Sequence, residues 1–137
     1  MKILLVSLFV LDRFLKYYFI NQGSYVINLG VAFGVISDKP NLVFVLHFVL
    51  TILLILYFYK SKLSNVMKSA LSLIILGSVS NLLDRFMYNG VVDYIDLWLF
   101  PKFNLADMII VFGVLLLIFL EFYENYKNHK GRRVPRG

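Results

Sequence analysis

Four stretches of this chain, at about residues 3–20, 42–59, 67–88 and 105–123, are apolar over roughly the twenty positions a helix needs to cross a bilayer core. With 60% hydrophobic and 17% aromatic residues, the chain has too little polar surface to cover a water-soluble fold of 137 residues. Lipid must do the covering. The expected fold class is therefore an α-helical integral membrane protein with four transmembrane helices. No long polar segment or repeat separates the stretches, so residues 1–130 read as a single four-helix domain. Residues 131–137 form a basic tail with no apolar anchor, expected to be disordered or an appended remnant, and lie outside the fold. The first stretch has the length of a secretory signal peptide. Asp12, Arg13 and Lys16 interrupt it and no small-residue cleavage site follows, which predicts an uncleaved helix.

Orientation follows from where the cations fall. Lys2, Lys60, Lys62, Lys68, Lys127 and Lys130 lie at the start, in the second connection and near the end, whereas the first and third connections carry only Lys39 and Lys102. The positive-inside rule then puts both termini on the cytoplasmic side. The net charge of +6 is accordingly a topology signal and a contact for anionic lipid, not a nucleic-acid surface. Cysteine is absent, which excludes disulfides, thiolate nucleophiles and cysteine-based metal sites. His47 and His129 lie too far apart to suggest zinc, and neither a metal nor a cofactor is expected.

The first and third connections are unusual. Residues 22–38 and 89–103 are rich in β-branched and aromatic residues and bounded by Gly, Asn and Pro, too apolar for ordinary solvated loops. They predict a small extracytoplasmic β-sheet and an interfacial turn, with Tyr94, Trp98 and Phe100 at headgroup depth.

Charged groups inside a span cost roughly 2.5–3.5 kcal/mol each on insertion scales, so every one needs a reason. Asp12 and Lys16 stand four apart on one helix face and can neutralise each other as a buried ion pair that fixes packing. Arg13 points elsewhere, to snorkel or to pair with another span. Gly77, Asn81, Asp84 and Tyr88 form a polar stripe, in which Gly77 allows close helix approach. Asp84 reads as part of a structural polar network. Asn81 and Arg85 read the same way, with an added role in positioning substrate. Gly90 is the expected C-cap of that helix. His47, alone in an apolar run, reads as a satisfied histidine. Glu121, Glu124 and His129 read as a solvated helix end.

Two acids remain. Asn104 is a good N-cap, which makes Asp107 the third residue of the fourth helix and the partner of a capping box. Asp93 has no such explanation, sitting between apolar neighbours in a strand-like segment. Only thirteen residues separate the two acids, and the segment can fold back to bring them together. Two adjacent carboxyls share a proton, so the charged one can activate water while the protonated one donates to a scissile carbonyl. Asp96 competes as a partner for Asp93, but in a strand it would face the other side. These features point to peptide cleavage by an aspartate pair, Asp93 and Asp107, at the outer membrane face.

At these residues the chain resembles the lipoprotein signal peptidase (signal peptidase II) family. The resemblance rests on Asn28-Leu29-Gly30-Val31-Ala32-Phe33-Gly34, on Gly77 through Asn81-Leu82-Leu83-Asp84-Arg85, on Gly90-Val91-Val92-Asp93-Tyr94 and on Phe103-Asn104-Leu105-Ala106-Asp107. Arg13 and Ser80 depart from it, standing where glutamine and glycine are common. The resemblance implies four helices, a small extracytoplasmic sheet and a mobile helical turn over the site, in a bacterial inner membrane. It implies a monomeric enzyme that cleaves the signal peptide of a prolipoprotein before its diacylglyceryl-modified cysteine and is inhibited by globomycin. Asp93 and Asp107 match the catalytic dyad. Asn28, Gly30, Asn81, Arg85 and Asn104 match its polar, substrate-binding surroundings, and Asp12 and Lys16 match first-helix residues. A different class, a small proton-coupled transporter or channel subunit, would draw on Asp12, Lys16, Asp84 and Arg85. It would need a polar path from side to side, and the cytoplasmic half of each span is apolar.

Overall fold

The computed structural model describes residues 1–30 and 39–132. Four long helices dominate it: α1 (Lys2–Asn21), α2 (Pro40–Lys60), α3 (Asn65–Tyr88) and α4 (Leu105–Arg132). Two short strands, β1 (Val26–Asn28) and β2 (Val91–Asp93), pair antiparallel with Val26 opposite Asp93, Ile27 opposite Val92 and Asn28 opposite Val91. Helices α2 and α3 and the Leu105–Lys127 part of α4 are long and apolar enough to cross a membrane. Helix α1 has 20 residues, and Lys2, Asp12, Arg13 and Lys16 lower its hydropathy. Helix α4 continues through Arg132, two residues into the stretch read as a tail.

Local chemistry sets the helix ends. Pro40 opens α2, where its missing N–H costs nothing and its fixed φ suits the first turn. The Ser64 hydroxyl accepts from Met67 N and caps α3. The other end of α3 corrects an expectation: Asn89, not Gly90, takes the left-handed conformation, with φ 59°. Gly90 is needed for space instead. A Cβ there would stand 2.5 Å from Ile27 Cγ2 and 2.9 Å from the Asn28 carbonyl oxygen, inside the strand pair.

The interior is polar and the outside apolar. Lys16, Asn104, Thr51, Asp12, Asp84 and Asp93 are among the largest fully buried side chains, whereas Ile3, Val6, Phe14 and Tyr17 of α1 are all more than 60% exposed. A water-soluble protein inverts that distribution. Packing between α3 and α4 runs through two glycines. A Cβ on Gly77 would lie 2.5 Å from the Ala106 carbonyl oxygen, and one on Gly113 would lie 2.9 Å from the Ala70 carbonyl oxygen. Small residues at such crossings let backbones touch, which supplies association where lipid removes the hydrophobic drive. Gly77→Val must push α4 away from α3 and should cost at least about 1–3 kcal/mol, as overpacking does. Denaturant titration in mixed micelles measures this loss; unchanged stability would mean that the two helices are not in close contact there.

Candidate active site

The polar interior is organised around Lys16. Its ammonium reaches Asp84 Oδ2 at 2.7 Å, Asn81 Oδ1 at 2.9 Å and Asp12 Oδ2 at 3.2 Å, one acceptor for each hydrogen. The expected Asp12–Lys16 pair therefore exists, but as part of a larger network. Arg13 pairs with another span, as one of its two expected roles required: Nη1 lies 2.5 Å from Asp84 Oδ1. Asp12 also accepts from Ser80 Oγ at 2.5 Å and from Ala106 N at 2.9 Å, the latter in the first turn of α4. Asp84 accepts from Val92 N at 3.2 Å, which ties α3 to β2.

Asp93 and Asp107 come together next to this network. Residues 94–106 fold back through a backbone bridge between Ile95 and Phe103, with Ile95 N donating to Phe103 O at 2.8 Å and Phe103 N to Ile95 O at 3.1 Å. That bridge sets Asn104 beside Asp93. Asn104 Nδ2 donates to Asp93 Oδ1 at 2.7 Å, and Asn104 Oδ1 accepts from Asp107 N at 3.0 Å. Asp107 Oδ2 returns the contact by accepting from Asn104 N at 3.2 Å, the reciprocal pair of a capping box. One asparagine thus spans both acids. Asn28 Nδ2 donates to the second oxygen of Asp93 at 3.0 Å, while Asn28 Oδ1 accepts from Gly30 N. Asn81 Nδ2 donates to the second oxygen of Asp107 at 2.7 Å. Burial raises the Asp93 carboxyl to about 6, and the neighbouring Asp107 pushes the same way against the Asn28 and Asn104 hydrogen bonds.

Both acids line one cleft of about 990 Å³, together with Asn28, Gly30, Asn81 and Arg85. Arg85 Nη2 donates to the Gly30 carbonyl at 2.7 Å, and its Nε and Nη1 are buried with no hydrogen-bond partner among the described residues. The rest of the wall is mainly aliphatic. The expected site residues are therefore brought to one place. Asp12, Lys16 and Asp84 lie behind it as a structural network.

Asp96 is not brought in. It is largely exposed and pairs with Lys102 at 3.4 Å. Trp98 and Phe100 are exposed, as an interfacial position requires, whereas Tyr94 is not interfacial. Its ring stacks on Phe19 at 4.6 Å and its hydroxyl accepts from Leu105 N at 3.2 Å, so it holds the start of α4. Burial pushes the Tyr94 phenol up to about 12. Val31, Ala32, Phe33 and Gly34 of the first motif lie outside the described residues. Among the described residues, no three His, Cys, Asp or Glu side chains converge as a metal site. Ser78 and Thr51, which join His47 in a hydrogen-bonded cluster, carry no sequence signal, because their partners come from another helix.

Known proteins share this arrangement. The chain is 34% identical to a lipoprotein signal peptidase of Wigglesworthia glossinidia brevipalpis, over 85% of its own length and 90% of that protein. A lipoprotein signal peptidase of Caldicellulosiruptor bescii is 37% identical, with 86% and 87% covered. One from Halothermothrix orenii is 41% identical over 69% of this chain and 66% of that protein. A bacterial membrane enzyme solved by the in meso method at 2.3 Å superposes with a TM-score of 0.80 at 29% identity, covering 97% of this chain and 93% of that one. A second such enzyme, solved at 1.9 Å, gives 0.73 at 30% identity. With residues 4–123 also matching the family model described as signal peptidase (SPase) II, the chain belongs to the signal peptidase II family, whose members process lipoproteins in membranes.

Proposed function

We propose that this protein is a membrane aspartyl endopeptidase that removes signal peptides from diacylglyceryl-modified prolipoproteins, cutting before the lipidated cysteine. The observation that carries it is the pair of carboxyls, Asp93 and Asp107, on one cleft wall with Asn104 hydrogen-bonded to both. Asp107 is the base. It sits at the positive end of α4, accepts from two neutral donors and takes a proton from water as that water attacks the scissile carbonyl carbon. Asp93 is the acid. Its raised carboxyl holds the shared proton and donates it to the carbonyl oxygen. Collapse of the tetrahedral species breaks the C–N bond. The proton on Asp107 passes to the leaving nitrogen, and the proton that Asp93 gave returns to it. Arg85, with two N–H groups uncommitted among the described residues, faces the same cleft and orients the peptide.

Helix α1 is the fourth span. Its exposed residues Ile3, Val6, Val10, Phe14 and Tyr17 form an apolar stripe at helical spacing, and its charges turn inward. The distribution of lysines supports cytoplasmic termini in a bacterial inner membrane, with the cleft at the outer face. There an acyl-anchored cysteine and a signal-peptide helix arrive together, and globomycin-type cyclic peptides compete for the same cleft. The enzyme acts as a monomer. A proton-coupled transporter is not favoured, because the intramembrane charges are satisfied by one another and the deeper cleft wall is aliphatic.

Asp93→Asn and Asp107→Asn should each lower cleavage of a diacylated precursor on the order of 10³-fold or more, with unchanged helical content in detergent. An Asn variant that processes precursor at the native rate removes that residue from the dyad. Stability offers a second check. The Asp93 carboxyl rises from 3.8 to about 6 on folding, so its contribution is complete below about pH 4 and is lost as pH rises through about 6. Relative to Asp93→Asn, the native chain should lose about 3 kcal/mol of stability between pH 4 and pH 7. Parallel stability curves for the two proteins would contradict the raised value.

A further inference from the structure

His47 of α2 lines the cleft and has no task in the hydrolysis above. Its surroundings fix where its proton sits. Thr51 Oγ1 lies 2.8 Å from the His47 carbonyl oxygen, which can only accept, so the Thr51 hydroxyl proton is committed there. Ser78 Oγ, 2.7 Å from Thr51 Oγ1, must then donate its own proton to Thr51. With that proton used, the Ser78 oxygen accepts from His47 Nε2 at 3.0 Å. A neutral imidazole that donates from Nε2 carries a lone pair on Nδ1. Among the described residues nothing donates to that atom.

An acceptor in an aliphatic wall beside Val43, Leu46 and Leu50 costs free energy unless a donor arrives. Arg85, on the same cleft, presents the opposite need: two buried N–H groups without acceptors. A peptide backbone supplies one donor and one acceptor per residue. Acyl esters and thioethers supply acceptors alone, so a lipid chain leaves Nδ1 unmet. A helical signal peptide spends its N–H groups on its own carbonyls; an extended stretch has them to give.

We propose that His47 Nδ1 and the spare N–H groups of Arg85 form a subsite for extended backbone on the signal-peptide side of the scissile bond, with His47 accepting a peptide N–H and Arg85 donating to a carbonyl. This rests on the peptidase reading and adds the part of the substrate that the aliphatic half of the cleft recognises. It also explains why a hydrogen-bonded triad occupies an otherwise apolar wall: Thr51 and Ser78 hold the imidazole in the one tautomer that accepts from the cleft.

Two variants separate this role from simple packing. His47→Gln retains a donor near the Nε2 position and loses the acceptor at δ. His47→Asn retains an acceptor at δ and loses the reach to Ser78. The substrates are diacylated prolipoprotein peptides in which one signal-peptide amide at a time is replaced by an ester, deleting a single N–H. His47→Gln should raise KM about tenfold with kcat little changed, and His47→Asn should stay within about twofold of the native enzyme. One ester position should cost the native enzyme about tenfold in KM and cost His47→Gln nothing further. If His47→Asn is the more damaged variant, or if every ester costs both enzymes equally, His47 serves helix packing and the subsite is overturned. If the native enzyme leaves the all-amide substrate uncut, the peptidase reading itself falls, a result distinct from either.

Discussion

A single buried ammonium holds the interior together. Lys16 has three hydrogens and three acceptors, and each acceptor leads to a different part of the molecule. Through Asp84 it reaches Arg13 and the backbone of β2. Through Asp12 it reaches Ser80 and the first turn of α4. Through Asn81 it reaches Asp107. Taking four charges out of water is expensive, and the arrangement is tolerable only because each is paired and hydrogen-bonded. Breaking such a network at one member typically costs 3–5 kcal/mol, since the remaining charges are left buried and unmatched. The network therefore does more than hold α1 to α3; it specifies one register among three helices and a strand.

That register explains a contrast between two kinds of acid. Asp12 and Asp84 face cations directly. Asp93 and Asp107 face only amides and a backbone N–H. The orientation of each amide is settled by its other end. Asn81 must turn its oxygen to the Lys16 ammonium, Asn104 to the N–H of Asp107 and Asn28 to the N–H of Gly30, so all three NH2 groups point at the pair. A carboxyl bound by neutral donors is held in place without being locked into one charge state, because gaining or losing a proton breaks no ion pair. The fold thus separates the charges that build the bundle from the carboxyls that exchange protons, and joins them through asparagine.

Much of this was legible in the chain itself. Hydropathy marked the helices, and the Asn104–Asp107 spacing marked the capping box that fixes one acid. Asp93 stood out because nothing local explained it. The departures share one cause. Tyr94 read as an interfacial aromatic, yet it stacks on Phe19, seventy-five positions away in the chain, and anchors α4. The Asp12–Lys16 spacing suggested a self-contained pair, while the decisive partners, Asn81 and Asp84, lie on α3. Ser78 and Thr51 are small and unremarkable in sequence; their bond joins residues 27 apart. Gly113 gave no signal, because the Ala70 backbone that requires it comes from another helix. Periodicity and capping are local, and long-range pairing in a bilayer is not.

Lipid also explains how so short a chain affords a polar centre. A soluble domain of this size must fill its interior with aliphatic side chains to gain stability from water. Here the apolar residues face outward and lose nothing by it, since hydrocarbon receives them as well as a core would. Cohesion comes instead from close backbone contact at Gly77 and Gly113 and from hydrogen bonds that water does not contest. The same contact at Gly77 presses α3 against Ala106, the residue just before Asp107. Helix packing and the placement of the acid are therefore one constraint: the carboxyl stands where it does because two backbones touch one residue away.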